Sequence, residues 1–300
     1  MSAITLIGPG AIGSTLAAWL SQGARHSVAV AVRTPFDSIV LTTPNGRIEA
    51  SPRVLTDPAQ AAPADWVLIT TKAYDSAAAA RWFTTSMGPQ TRVAVIQNGV
   101  EHVERFAPYV DAARIVPVMI DCSATRLSPG QVIQGGPIHI VVPAGPNGAE
   151  FVALFDGLNF DVRETSDFVS AAWKKLCLNS AGAVSAALLE PAGIAHHEGV
   201  AAIMRAIVRE CVAVGRAKGA LLGEEIADEI VERTRRGPRD AVNSMLADRR
   251  AGRPMEIDAR NDVIVRYGRE LGIPTPMNAL MVAMLEAAED CRRERREPGA

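Results

Sequence analysis

Aromatic residues make up only 5% of the 300-residue chain, too few for a base-stacking platform. Neither sign of charge dominates. Lys and Arg total 31 against 33 Asp and Glu, a net charge of −2, so the basic footprint of a nucleic-acid binder is missing. Cysteine is scarce, with four residues at positions 122, 177, 211 and 291. No two lie at C-x-x-C spacing, which argues against a zinc site or a disulfide scaffold and fits free thiols in a reducing cytoplasm. Long uninterrupted hydrophobic runs are also lacking. The most apolar stretch, 168–189, is broken by Lys174, Lys175 and Asn179, so no membrane span is expected. The opening MSAITLIGPG carries no basic segment and breaks at Gly8, and does not read as a signal peptide. The remaining balance, 48% hydrophobic and 21% charged, is that of a globular protein. The length suits two domains of roughly 150 residues each.

The first half alternates short β-rich runs with helical ones. Strands are expected at 3–7, 27–32, 65–70 and 92–97, a helix at 11–22, and an alanine-rich helix from about Asp75 to Ser86. Continuous apolar runs of this length suit strands buried on both faces of a parallel sheet. Pro44-Asn45-Gly46, in the middle of 39–50, signals a hairpin. From Arg114 to Pro143, strands separated by Gly and Pro turns suggest an antiparallel extension of the sheet. After Asp167 the pattern becomes helical, with runs at 196–218, 224–235, 256–271 and 277–293. The expected organisation is an α/β nucleotide-type domain over 1–165 and an all-helical domain over 166–300. The terminal CRRERREPGA reads as a frayed, solvated end.

Gly8-Pro9-Gly10-Ala11-Ile12-Gly13 is a G-x-G-x-x-G turn directly after a strand and opening a helix. The first glycine makes the tight turn, the second admits a pyrophosphate to the backbone, and the third lets helix and strand pack closely. The helix N-terminus offers N–H donors and a positive dipole end to phosphate. A site for NAD usually has an acid about 20 residues further on, yet no Asp or Glu occurs from Ser14 to Phe36. The second strand ends instead at Arg33, a cation suited to the 2′-phosphate of NADP, though a solvated loop arginine would look the same. Lys72 and Asn98-Gly99 follow the next two strands, at the carboxyl edge where ligands of open α/β sheets bind. Each is equally readable as an ordinary loop or turn residue.

In the second half, Lys174 and Lys175 are the charged residues of an otherwise apolar helix, 169–189, expected to be buried. Lys175 and Asn179, four apart, share a face, and Lys174 points away from it. A partly desolvated lysine suits a general acid, but a lysine snorkelling from a half-exposed helix would look alike. Glu256 follows Pro254 in what reads as a first helical turn, where a carboxylate is favoured by the dipole. Ser244 could cap a helix or hold a ligand. His196-His197-Glu198 are adjacent on a helix and do not converge, so no metal is expected.

The ordered set resembles the ketopantoate reductase (2-dehydropantoate 2-reductase) family over nearly the whole chain. It comprises GPGAIG, the acid-free second strand ending in Arg33, Thr71-Lys72-Ala73, Gln97-Asn98-Gly99 and the stretch from Ala124 to Gly130. It continues with Trp173-Lys174-Lys175-Leu176 with Asn179, Ser244 to Asp248, and Glu256-Ile257-Asp258. The resemblance implies a Rossmann-type N-terminal domain, an all-helical C-terminal domain, and NADPH-dependent reduction of 2-dehydropantoate in pantothenate biosynthesis. It assigns Lys175 as proton donor and Glu256 as a residue orienting cofactor and substrate. Asn98, Lys175, Asn179 and Ser244 would hold the small 2-oxo acid. Lys72, Asn98, Ala124 and Glu256 would join Gly8–Gly13 and Arg33 around NADP. A homodimer is compatible with a helical second domain of this kind. Two positions depart from the family pattern. Ala183 stands where a further asparagine is expected one turn beyond Asn179, leaving a less polar wall, and Gly193 stands near another. A relative reducing a different 2-oxo acid is therefore an alternative. A non-catalytic NADP sensor is a second, opposed by the joint presence of Lys175, Asn179, Ser244 and Glu256.

Overall fold

The computed structural model describes residues 1–296. The chain divides into two compact units. One comprises 1–97 with 101–168, and the other gathers 98–100 with the chain from Val169 onward.

The first unit holds two sheets. Strands β1 (Ala3–Ile7), β2 (Ser27–Ala31), β5 (Arg53–Leu55), β6 (Ala64–Ile69), β7 (Met87–Val95) and β8 (Ile115–Pro117) form a parallel sheet in the order β5-β2-β1-β6-β7-β8. Its strands are buried on both faces, which is why they read as continuous apolar runs. Trp66 and Leu68 of β6 enter one core, whereas Val67 and Ile69 enter the opposite one. Helix α1 (Ala11–Leu20) lies in the first core between the two sheets. Its Gly13, Ser14, Thr15, Ala17 and Ala18 are all buried, and such small side chains suit close packing on both sides.

The second sheet has the order β11-β10-β3-β4, with β9 on β10. It uses β3 (Ile39–Thr43), β4 (Gly46–Ala50), β9 (Met119–Ser128), β10 (Gln131–Pro143) and β11 (Asp161–Thr165). The hairpin at Pro44-Asn45-Gly46 forms as expected. The region 114–143, however, does not extend the first sheet with antiparallel strands. β8 joins that sheet in parallel, and β9 and β10 build the separate one because β10 pairs with β3 and β11. The alanine-rich helix of 75–86 is broken into α2 (Ser76–Ala80) and α3 (Phe83–Ser86). Trp82 N–H donates to Ala79 C=O, a tight i−3 bond that interrupts the α-helical ladder. Helix α4 (Pro146–Ala153) completes the unit, with Phe151 in the first core.

The second unit is helical: α5 (Phe168–Ala181), α6 (Ala183–Leu188), α7 (Glu198–Ala217), α8 (Ile226–Arg236), α9 (Ser244–Arg250), α10 (Val263–Leu271) and α11 (Pro276–Arg296). The expected buried helix over 169–189 is thus two helices. The carbonyl of Gly182 accepts from Asn243 Nδ2 at 2.9 Å. The middle of the stretch is largely buried, whereas Val169, Leu188 and Leu189 at its two ends and Lys174 are exposed. The tail expected to fray continues α11 as far as Arg296, held in part by Arg293 on Glu289; residues 297–300 lie outside the described residues. Among the described residues, no helix is long and apolar enough to cross a membrane.

Candidate functional site

In the first unit the glycine turn is tied down by the strands it connects. Gly8 adopts φ +86° and donates to Ala31 C=O at 3.2 Å. Thr70, immediately after β6, donates its hydroxyl to Gly8 C=O at 2.9 Å. A Cβ on Gly13 would lie 2.3 Å from that hydroxyl, so helix, turn and β6 meet only because no side chain intervenes. A Cβ on Gly10 would find nothing nearer than 3.9 Å, so the backbone there is open to a ligand. Helix α1 has neither a side-chain cap nor an acid in its first turn. Its first N–H groups face this opening with a positive dipole end. Turn and helix therefore fit a dinucleotide pyrophosphate. Thr70 is an anchor that motif reading missed; its position as the last residue before Thr71-Lys72 was the available signal.

Arg33 follows β2, 88% exposed, with its Nη2 3.0 Å from Asp75 Oδ2. No acid occurs from Ser14 to Phe36, but the fold supplies one from the segment after β6. Lys72 precedes a short helical turn, and its carbonyl accepts from Asp75 N–H at 2.9 Å and Gln97 Nε2 at 3.3 Å. Gln97 also donates to Thr71 Oγ1 at 3.0 Å, clamping the loops that follow β6 and β7 together. Ala124 lies in β9 opposite Gln134, packed against the core that contains α1, rather than on the carboxyl edge of the parallel sheet.

In the second unit, Asn98 Nδ2 donates to Glu256 Oε2 at 2.9 Å, and Asn98 Oδ1 accepts from Asn179 Nδ2 at 3.4 Å. The structure thereby joins three of the expected site residues in one hydrogen-bonded chain. Lys175 lies one turn before Asn179 on α5, half-buried. Lys174 points elsewhere, exposed and paired with Glu229 at 3.4 Å. Glu256 is buried and just ahead of helical backbone, which begins at Asp258. It is therefore not in a first helical turn, and the dipole does not account for it. That backbone opens as a π turn over 258–262, in which Asp262 N–H donates to Ile257 C=O five residues back. π turns are frequent at functional sites.

Ser244 begins α9, but Asn243 caps that helix by accepting from Leu246 N–H at 3.0 Å. The Ser244 hydroxyl instead accepts from Arg260 Nη2 at 2.6 Å. Arg260 is 3% exposed. Burial lowers its pKa, while Glu256 and Asp248 oppose that shift. Sequence reading missed Arg260; its signal was a cation one helical turn after Glu256, between Ala259 and Asn261. Ala183, expected to form part of a substrate wall, has no exposed surface and belongs to the helical core. Gly193 donates to Arg239 C=O at 2.7 Å, and a Cβ there would approach that oxygen to 2.9 Å. His197 caps α7. No group of three or more metal-binding side chains occurs among the described residues. Cys177 and Cys211 are buried free thiols, and burial pushes the Cys211 thiol well up.

A parallel sheet with a dinucleotide-type glycine turn, joined to a helical unit bearing a lysine and an amide–carboxylate chain, defines an oxidoreductase that uses a nicotinamide dinucleotide. Family models described as ketopantoate reductase PanE/ApbA and its C-terminal domain match residues 4–147 and 167–289. The chain is 53% identical to a 2-dehydropantoate 2-reductase of Caulobacter vibrioides, covering 96% of this chain and 99% of the relative. It is 38% identical to that of Mycobacterium tuberculosis, covering 96% and 98%. A crystal structure of a PanE/ApbA family ketopantoate reductase from Ralstonia eutropha superposes with a TM-score of 0.89 at 29% identity, covering 97% and 99%. The chain belongs to the ketopantoate reductase PanE/ApbA family.

Proposed function

We propose that the chain reduces 2-dehydropantoate to pantoate with NADPH, in the cytoplasm and in pantothenate biosynthesis, as a homodimer. The observation that carries the reaction is the chain Asn179–Asn98–Glu256 with Lys175 one turn away. The names of the relatives at 53% and 38% identity supply the substrate.

In this reading Gly8–Gly13 and the N-terminus of α1 hold the pyrophosphate, and Arg33 and Lys72 supply positive charge. Ala124 and Asn98 contribute further cofactor contacts. When bound, NADPH supplies the hydride that adds to the ketone carbon. Negative charge then develops on the former carbonyl oxygen. The Lys175 ammonium stabilises that oxygen and gives it a proton, leaving a neutral amine that regains a proton from solvent. Glu256 accepts from Asn98 Nδ2 and so fixes the amide with its Oδ1 turned toward Asn179. Asn98, Asn179 and Ser244 hold the substrate's polar groups.

The test is oxidation of NADPH, and separately of NADH, with 2-dehydropantoate and a panel of unhydroxylated branched 2-oxo acids. A higher kcat/KM for 2-dehydropantoate with NADPH is expected. Far better reduction of an acid lacking the hydroxyl would overturn the substrate assignment, and equal use of NADH would overturn the cofactor assignment.

A further inference from the structure

The proposed reaction leaves one buried charge without a task. Arg260 is 3% exposed, and an arginine cannot escape the cost of burial by losing its proton. A purely structural cation would aim its N–H groups at carboxylates. Asp248 is already paired with Arg253 at 2.8 Å. Among the described residues, the hydrogen bond made by the Arg260 guanidinium goes to a neutral hydroxyl, Ser244 Oγ. Its Nε has no partner.

Ser244 is the exposed end of this pair, and Asn243 relieves it of capping. A hydroxyl has one hydrogen and two lone pairs. With the guanidinium on one lone pair, its hydrogen is left to donate on the exposed side. A donor polarised by a buried cation is matched to an anion, because charge-assisted bonds are about twice as strong as neutral ones. The π turn sets this arrangement, since it opens two residues after Glu256 and carries Arg260 in its middle.

We propose that Arg260 is a positioning residue that locks the Ser244 hydroxyl as an outward donor to the substrate carboxylate, and thereby sets the preference for a 2-oxo acid over its neutral analogues. The inference rests on the reading above that the chain reduces a 2-oxo acid. Arg260 acts through Ser244, to which its Nη2 donates.

The experiment is a double-mutant cycle with Ser244→Ala, Arg260→Gln and the pair. Each is assayed with 2-dehydropantoate and with its neutral methyl ester, alongside NADPH titration and thermal unfolding. Each single variant is expected to raise KM for the acid about ten- to a hundredfold, and by a clearly larger factor than it raises KM for the ester, with NADPH affinity little changed. The double variant should be no worse than the worse single one, since the two act as one unit. Multiplying KM effects, or equal losses for acid and ester, would mark Arg260 as a structural cation and overturn the proposal. Should Arg260→Gln fail to fold, Arg260→Lys replaces it. That variant keeps the charge but shortens the reach, so KM should rise when Ser244 is present and not when it is combined with Ser244→Ala; no rise in either background overturns the proposal. A wild-type protein that reduces 2-dehydropantoate while Arg260 variants keep a normal KM defeats only this inference. A wild-type protein that reduces no 2-oxo acid defeats the reaction reading and this inference with it.

Discussion

Lys174 and Lys175 are neighbours in sequence with opposite surroundings. Lys174 is exposed and meets Glu229 at 3.4 Å, a surface pair contributing about 0–1 kcal/mol. Lys175 is half-buried on the face that also carries Asn179. Lys175→Ala should lower kcat by about 10²–10⁴, the range for loss of a general acid, whereas Lys174→Ala should leave kcat near wild type. Steady-state kinetics of the two variants checks this, and the reverse pattern would refute the face assignment. Arg33 is a second case where a single contact decides. Arg33→Ala should weaken NADPH about ten- to a hundredfold, the value of one charged hydrogen bond, and leave NADH unchanged. Asp75 holds the same guanidinium at 3.0 Å. Asp75→Asn should free it and tighten NADPH by up to about fivefold, since an exposed pair offers at most about 1 kcal/mol of competition. Cofactor fluorescence titration measures both, and tighter NADPH binding in the Arg33 variant would contradict them.

At the scale of elements, what could be read locally was read. The strands around β1, β2 and β6, the glycine turn and the Lys175–Asn179 spacing all rest on residues within a few positions of one another. What escaped depends on distant partners. The sheet to which β10 belongs is decided by pairing with β3, and Asn98 meets Glu256 across 158 residues. Arg33 finds Asp75 across 42. The family resemblance also marked Ala183 as a site position one turn beyond Asn179, but the helix breaks at Gly182 and Ala183 enters the core. An asparagine there does not restore a substrate contact; it buries an amide and overfills a packed site. Ala183→Asn should destabilise the helical unit by about 2–5 kcal/mol, combining a buried unsatisfied amide with overpacking. Urea unfolding gives the figure. A stable variant with lower KM for 2-dehydropantoate would restore Ala183 to the substrate wall.

At the scale of the whole molecule, the chain has separate cores for separate tasks. Two groups of apolar side chains pack the first unit, one around α1 between the sheets and one on the opposite face of the parallel sheet; another packs the helices from α5 to α11, and among the described residues none is shared between the cores of the two units. The sequence pattern locates the change from alternating strands to helices. It does not reveal that Asn98–Val100, inside the first half, groups with the helical unit, because three residues carry no periodicity. The glycine turn belongs wholly to the first unit and is bonded to β2 and β6. A ligand that binds the native turn stabilises whatever must unfold to destroy it, by about 2.7 kcal/mol at roughly a hundred times its dissociation constant. If each unit opens cooperatively by itself, NADPH should slow hydrogen exchange of the buried β1 and β6 amides by about a hundredfold, the factor corresponding to that free energy. Amides in the middle of α7 should exchange at nearly their unliganded rate. Exchange followed by mass spectrometry on peptides from 3–7, 64–69 and 204–214 distinguishes the cases. Equal slowing in all three peptides would show that the two units open together, and would make the dinucleotide a stabiliser of the entire chain rather than of the unit that carries its turn.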